Sequence, residues 1–273
     1  MIEIDKFSLK EKVIVVTGAT GVLGHSFIKA ISAAGGIVGI MGRNEEVANE
    51  RATQIIAAGG KAMVLIADVE NETALKDCCQ KIIDAFGKID GLVNAAGGNV
   101  PEAVLQPEDD IFSMNVGGMK SAMDVNLWGT VLPTLIFGKA IAKNGSGSIV
   151  NISSVSVPRT LTKVLGYSMG KSAVESFSKW MAVELANRYG DKIRMNALVP
   201  GFFLTEQNRT LLTNTDGSYT SRGDAVIKQT PFKRFGNPDE LAGALVWLLS
   251  DASKFVTGTS ITVDGGFTSF SGV

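Results

Sequence analysis

Tyr167 and Lys171 stand four residues apart in the segment Tyr167-Ser168-Met169-Gly170-Lys171. On a helix that spacing puts a phenol and an ammonium on one face. A phenol titrating near its ordinary value of about 10 is a poor acid–base catalyst at neutral pH, and a cation beneath it favours the phenolate. With three tyrosines in the chain, chance supplies roughly 0.2 such spacings, so the pair needs company. Thirteen residues upstream, Ser154 ends the apolar run Ile149-Val150-Asn151-Ile152-Ser153. A strand end would set its hydroxyl at the same rim, where it could hydrogen-bond a substrate oxygen. Ser153 is its rival, and because successive strand residues face opposite ways, one of the two packs inward. Asn126 falls inside the helical pattern Met123-Asp124-Val125-Asn126-Leu127, where a mid-helix amide could hold a water.

These groups need a frame. Short β-branched runs at 13–17, 37–41, 62–67, 91–94, 148–153, 194–199 and 260–264 alternate with helical patterns at 23–34, 45–58, 71–86, 119–143, 167–189 and 238–250. Such alternation predicts a parallel sheet with helices on both faces. The length suits a single α/β domain over 1–273, with no internal repeat or linker. Two long irregular segments, 95–118 and 201–236, each follow a predicted strand. In a doubly wound sheet, ligands bind outside the carboxyl ends of strands, and long loops there are usually functional.

The first strand runs into Thr17-Gly18-Ala19-Thr20-Gly21-Val22-Leu23-Gly24 and then a helix. Glycines at this place allow a tight turn and let backbone N–H groups approach a pyrophosphate at the helix N-terminus. An acidic residue after the second strand would accept from the adenine ribose 2′-hydroxyl and select NAD. Here the sequence is Gly42-Arg43-Asn44. Arg43 suits a 2′-phosphate, which favours NADP(H) over NAD(H). Small residues in Asn94-Ala95-Ala96-Gly97 would let the backbone approach the same cofactor.

Together these pieces resemble the short-chain dehydrogenase/reductase family. The resemblance covers nearly the whole chain and rests on TGATGVLG, Asp68-Val69, NAAG, Asn126, the ISS strand end, YSMGK, Pro200-Gly201 and Val263-Asp264-Gly265-Gly266. It implies a Rossmann-like doubly wound parallel sheet of seven strands and a tetrad of Asn126, Ser154, Tyr167 and Lys171. It also implies NAD(P) contacts from Gly18, Thr20, Gly21, Val22, Leu23, Gly24, Arg43, Asn44, Asp68, Val69, Asn94, Ala95, Gly97, Pro200, Gly201, Phe203 and Thr205, with Tyr167 and Lys171 at the nicotinamide ribose. Asp68 would sit by the adenine and Thr205 near the carboxamide. Family members are often tetramers that pack the Tyr-bearing helix against its copy, so a homotetramer or homodimer is expected. The turn departs from the one-domain pattern, with Val22 where a glycine is usual. That spacing resembles the extended branch of epimerases and dehydratases with tightly bound NAD, but too few residues follow Gly201 for its large substrate region. A non-catalytic dinucleotide-binding module is the other alternative, and the intact Ser–Tyr–Lys set argues against it.

The segment 201–236 reads as a substrate lid. Its Gln207, Asn208, Arg209 and Thr210, among apolar anchors, suit a polyhydroxylated carboxylate. Arg209 would bind the carboxylate bidentately, assisted by Lys163, with Asn99 of NAAGGN also facing substrate. The lid, NAAGGN and the ending VDGGFTSFSGV are similar to the D-mannonate oxidoreductase (fructuronate reductase) group, which implies interconversion of D-mannonate and D-fructuronate.

With 26 basic and 27 acidic residues, neither nucleic acid nor an anionic membrane is an expected partner. Cys78 and Cys79 are adjacent and build no disulfide framework. Cys79 shares a helical stripe with Leu75, Ile82, Ile83 and Phe86 and is expected to fill the core. The single histidine, His25, lies behind the glycine turn, and no metal site is expected. Residues 1–12 resemble neither a signal peptide nor an anchor, and no apolar stretch of membrane-spanning length is apparent, so a cytoplasmic location is expected.

Overall fold

Alternate residues of the first strand, β1 (Val13–Thr17), enter different cores: Val13 and Val15 on one side of the sheet, Ile14 and Val16 on the other. A strand apolar on both faces must be covered on both. The computed structural model, which describes residues 4–272, shows how. Its seven strands are β1, β2 (Ile37–Gly42), β3 (Lys61–Ile66), β4 (Gly91–Asn94), β5 (Gly147–Ile152), β6 (Ile193–Pro200) and β7 (Ser260–Val263). All pairs are parallel, in the order β3-β2-β1-β4-β5-β6-β7.

Helices α1 (Val22–Ala33), α2 (Glu45–Ala57) and α9 (Ala242–Leu249) pack on one face through Phe27, Ile31, Ile55 and Leu245. Helices α3 (Glu72–Phe86), α5 (Gly129–Asn144) and α6 (Leu165–Tyr189) cover the other through Ile82, Phe137, Ile141 and Leu185. Strand order reverses between β1 and β4, so a crevice opens there at the carboxyl ends of the strands.

Several expectations change. The helix read as 119–143 is α4 (Val116–Met123) and α5 joined by a wide π turn at Asp124–Trp128. The joined run 116–144 is also long and apolar enough to cross a membrane by length and composition, contrary to the sequence reading. Part of it is buried in the protein, with Phe137 and Ile141 fully covered against the sheet, while Val116, Trp128 and Leu135 are exposed. On α3 the buried stripe is Leu75, Cys78 and Ile82, so Cys78 fills the core and Cys79 is only half-buried beside it. The segment 201–236 holds two unexpected helices, α7 (Glu206–Leu212) and α8 (Ser221–Gln229), whose Leu212 and Val226 share a small core with Phe235.

Candidate active site

Helix α6 passes the end of β5, and Lys171 ties the two together: its buried ammonium donates to the Ile152 carbonyl at 2.8 Å. The same nitrogen lies 5.8 Å from the centre of the Tyr167 ring. Burial pulls Lys171 down to about 8. Burial also pushes the Tyr167 phenol up, and the hydrogen bond with Ser154 works the other way. Desolvation is the larger of these two influences on the phenol.

Just past the end of β5 the two serines part. Ser153 donates to Glu175 Oε1 at 2.7 Å, inside the protein. Ser154 turns to Tyr167, and its Oγ also accepts from the Ser156 N–H at 3.1 Å. Glu175 is completed by the Ser260 hydroxyl at 2.9 Å. It lies one turn beyond Lys171 on α6, and sequence reading passed over it although Tyr167, Lys171 and Glu175 share the four-residue spacing.

The π turn presents Asn126 to the loop after β4. Its Nδ2 donates to the Gly98 and Ala122 carbonyls, both at 2.7 Å, and its Oδ1 accepts from the Gly98 N–H at 3.1 Å. Both N–H groups of the side-chain amide are therefore spent on backbone carbonyls, and its oxygen takes one backbone N–H. Gly97 meets this cluster at φ +146°; a Cβ there would lie 2.6 Å from Asn126 Oδ1 and 3.2 Å from Lys171 Nζ. Asn94 is fully buried, and its amide donates to Thr134 and Asn151 rather than facing the crevice. The loop itself is held by Thr17, a residue not anticipated, whose hydroxyl accepts from the Ala95 and Ala96 N–H groups at 3.1 Å.

The glycine turn fits a pyrophosphate. Gly18 has φ +62°, and a Cβ on Gly24 would sit 2.2 Å from the Gly18 carbonyl oxygen. The turn can close this tightly only without those side chains. Helix α1 starts at Val22 with Gly21 as its cap, no side-chain cap and no acidic residue in its first turn. Its leading N–H groups thus have no competing anion. Thr20 packs where a Gly42 Cβ would be, with Oγ1 at 2.6 Å. Leu23 packs half-buried against the core and Val69 is buried.

At the adenosine end, Arg43 reaches Asp68 at 3.4 Å with 79% of its side chain exposed. Asp68 also accepts from the Glu70 N–H. Asn44 is occupied as the α2 cap, accepting from the Val47 N–H at 3.0 Å.

The lid residues divide. Pro200 and Gly201 join the sheet, accepting from Val155 and donating to Val263 respectively. The Phe203 ring is buried against Gly236 rather than open to a cofactor. Thr205 caps α7 in a reciprocal pair with Asn208, so Asn208 is structural. Arg209 and Asn99 are exposed, while the Gln207 side chain lies outside the described residues. Lys163, at φ +74°, lines a cleft of about 930 Å³ with Glu102, Ser156, Ser168 and Met169. Ser154, Tyr167 and Arg209 do not line that cleft. His25 is half-buried, and burial with the nearby Arg51 lowers its pKa. Among the described residues no group of His, Cys, Asp and Glu could hold a metal.

A family model for enoyl-(acyl carrier protein) reductase matches residues 18–268. The chain is 40% identical over 275 aligned residues to an uncharacterised oxidoreductase, UxuB, of Bacillus subtilis (strain 168), covering 97% of this chain and 98% of that protein. Among solved structures it is similar to one from Haemophilus influenzae, provisionally named a D-mannonate oxidoreductase and holding NAD. The TM-score is 0.90 at 36% identity, over 97% and 98% of the two chains. It is also similar to a gluconate 5-dehydrogenase from Burkholderia cenocepacia J2315 in complex with NADP and tartrate, with a TM-score of 0.85 at 32% identity over 97% and 98%.

Proposed function

We propose that this chain, which belongs to the short-chain dehydrogenase/reductase family and is an NAD(P)-dependent oxidoreductase of a CH–OH group on a small molecule, interconverts the alcohol and ketone of a sugar acid of the D-mannonate and D-fructuronate type. The observation that carries the chemistry is the meeting of Ser154, Tyr167 and Lys171 where α6 crosses the end of β5. Support for the substrate class comes from likeness over the whole chain, lid included, to proteins named for mannonate and gluconate.

The bound nicotinamide supplies or accepts the hydride, and the protein supplies orientation and charge. Tyr167 gives its proton to the carbonyl oxygen in the reductive direction and takes it back in the oxidative one. Ser154 hydrogen-bonds the same oxygen and stabilises its developing charge. Lys171, held by Ile152, keeps a positive charge beside the phenol and the nicotinamide ribose. Asn126 braces Gly98 so that Gly97 stays clear of the Lys171 ammonium.

NADP(H) is the favoured cofactor. An exposed pair such as Arg43–Asp68 contributes little, so the guanidinium is free to exchange Asp68 for a 2′-phosphate. Residues 201–236 act as the lid, with Arg209 as carboxylate clamp. The enzyme works in the cytoplasm as a homotetramer or homodimer, with exposed Leu135, Trp180 and Val183 on α5 and α6 as the self-association face.

Absorbance of the reduced nicotinamide, with both cofactors against aldonates, keto-uronates and neutral polyols, tests the reading. Turnover is expected with D-mannonate and with D-fructuronate, and Arg209→Ala should lose activity on the acid but not on a matching neutral sugar. Equal loss on both, or none, removes the clamp. Stoichiometric conversion of added cofactor separates this reading from an epimerase.

A further inference from the structure

Arg51 lies inside α2 and reaches across to the glycine turn. Its guanidinium donates to the Gly21 carbonyl at 2.8 Å and, by a still closer contact, to the Ala19 carbonyl. In a trans peptide the C=O and the N–H of the next residue point in opposite directions, and the described chain has no cis bonds. With the Ala19 and Gly21 oxygens turned toward Arg51, the N–H groups of Thr20 and Val22 are turned away from it. The Val22 N–H opens α1, whose first turn carries neither a side-chain cap nor an acidic residue.

We propose that Arg51 is a positioning residue for the dinucleotide pyrophosphate: it clips the Ala19 and Gly21 carbonyls from behind and so aims the Thr20 and Val22 N–H groups at the phosphate oxygens. It also places a fixed positive charge behind the turn. This supplies by a side chain what the turn lacks in glycine, since Val22 occupies a position where the one-domain pattern has Gly. Of the neighbouring groups, Glu50 is the charged one that acts on Arg51, and His25 on the α1 side, its pKa lowered by burial and by Arg51, is uncharged at neutral pH. Burial disfavours the charged guanidinium, and its hydrogen bonds to the two carbonyls hold it in place.

The inference rests on the nicotinamide dinucleotide reading above, and one experiment separates the two. NADH and NADPH are titrated into the full-length wild type, Arg51→Ala and Arg51→Lys by nucleotide fluorescence at several salt concentrations, with the unfolding midpoint of each protein recorded without nucleotide. Arg51→Ala is expected to weaken both nucleotides at least tenfold and to flatten the dependence of affinity on salt. Arg51→Lys should keep the salt dependence and recover only part of the affinity, because the shorter lysine chain does not carry its nitrogen to the place from which Arg51 Nη1 meets both carbonyls. If Arg51→Ala does not fold, Arg51→Lys carries the test through its affinity loss at unchanged salt slope. Unchanged affinity in both variants overturns the proposal, as does a loss confined to NADPH, which would make Arg51 a reader of the 2′-phosphate. Failure of the wild type to bind either nucleotide overturns the cofactor reading itself and this inference with it.

Discussion

Lys171 donates to the Ile152 carbonyl at 2.8 Å, two residues before Ser154 on the same chain segment. The catalytic helix and the catalytic strand end are thus fastened at the point where their side chains must meet. The ammonium also stays near the Tyr167 ring without needing an ion-pair partner.

This anchoring sets opposite signs for activity and stability. Replacing Lys171 by Met should lower kcat/KM by roughly 10²–10⁴, the range of acid–base machinery. Its folded pKa of about 8 lies below its ordinary value of 10.5, so between those values the unfolded chain binds more protons. The contribution of Lys171 to stability therefore rises as pH climbs from 8 to 10.5 and is at its lowest below 8. Denaturant titrations of wild type and Lys171→Met across that window should show the difference moving in favour of wild type. A flat or reversed trend rejects the assignment.

Neighbouring serines should fail differently. Ser154→Ala is expected to cost about 10²–10³ in kcat, the loss seen when an oxyanion donor is removed, with little change in unfolding midpoint. Ser153→Ala strips a donor from buried Glu175 and should cost about 1–3 kcal/mol of stability with kcat nearly kept. Steady-state kinetics beside thermal unfolding of both variants decides it. The reverse pattern would exchange the two roles.

Tyr167→Phe keeps the ring and removes the proton. A drop of about 10²–10⁴ in kcat/KM is expected, with NAD(P)H affinity within a few-fold of wild type by fluorescence titration. Retained turnover would place the acid–base group elsewhere.

At Gly97 the constraint is space. An alanine there would crowd Asn126 Oδ1 and Lys171 Nζ at φ +146°, where L residues are strained. Gly97→Ala should lose activity and lower the unfolding midpoint, and a crystal structure should show Lys171 or Asn126 displaced. Full activity would mean that the loop has room to shift.

Local chemistry made much of this legible in the sequence. Alternating β-branched runs and helical patterns give a parallel doubly wound sheet, because an all-apolar strand can only be buried on both faces. The spacing of Tyr167 and Lys171, and Ser154 at a strand end, were readable because helix and strand periods are fixed by the backbone. The sequence could not show which backbone atoms a polar side chain would find. Asn126, Asn44 and Asn208 each had a ligand-facing reading, and each is spent on backbone N–H or C=O groups brought near by folding. Phe203 and Cys78 likewise became core residues through packing. Glu175 and Arg51, each far along the chain from the groups they hold, acquire meaning only when α6 lies on β5 and α2 lies beside the glycine turn. Periodicity and spacing are written into the chain, whereas the pairing of buried polar groups is decided by which distant segments the core brings into contact.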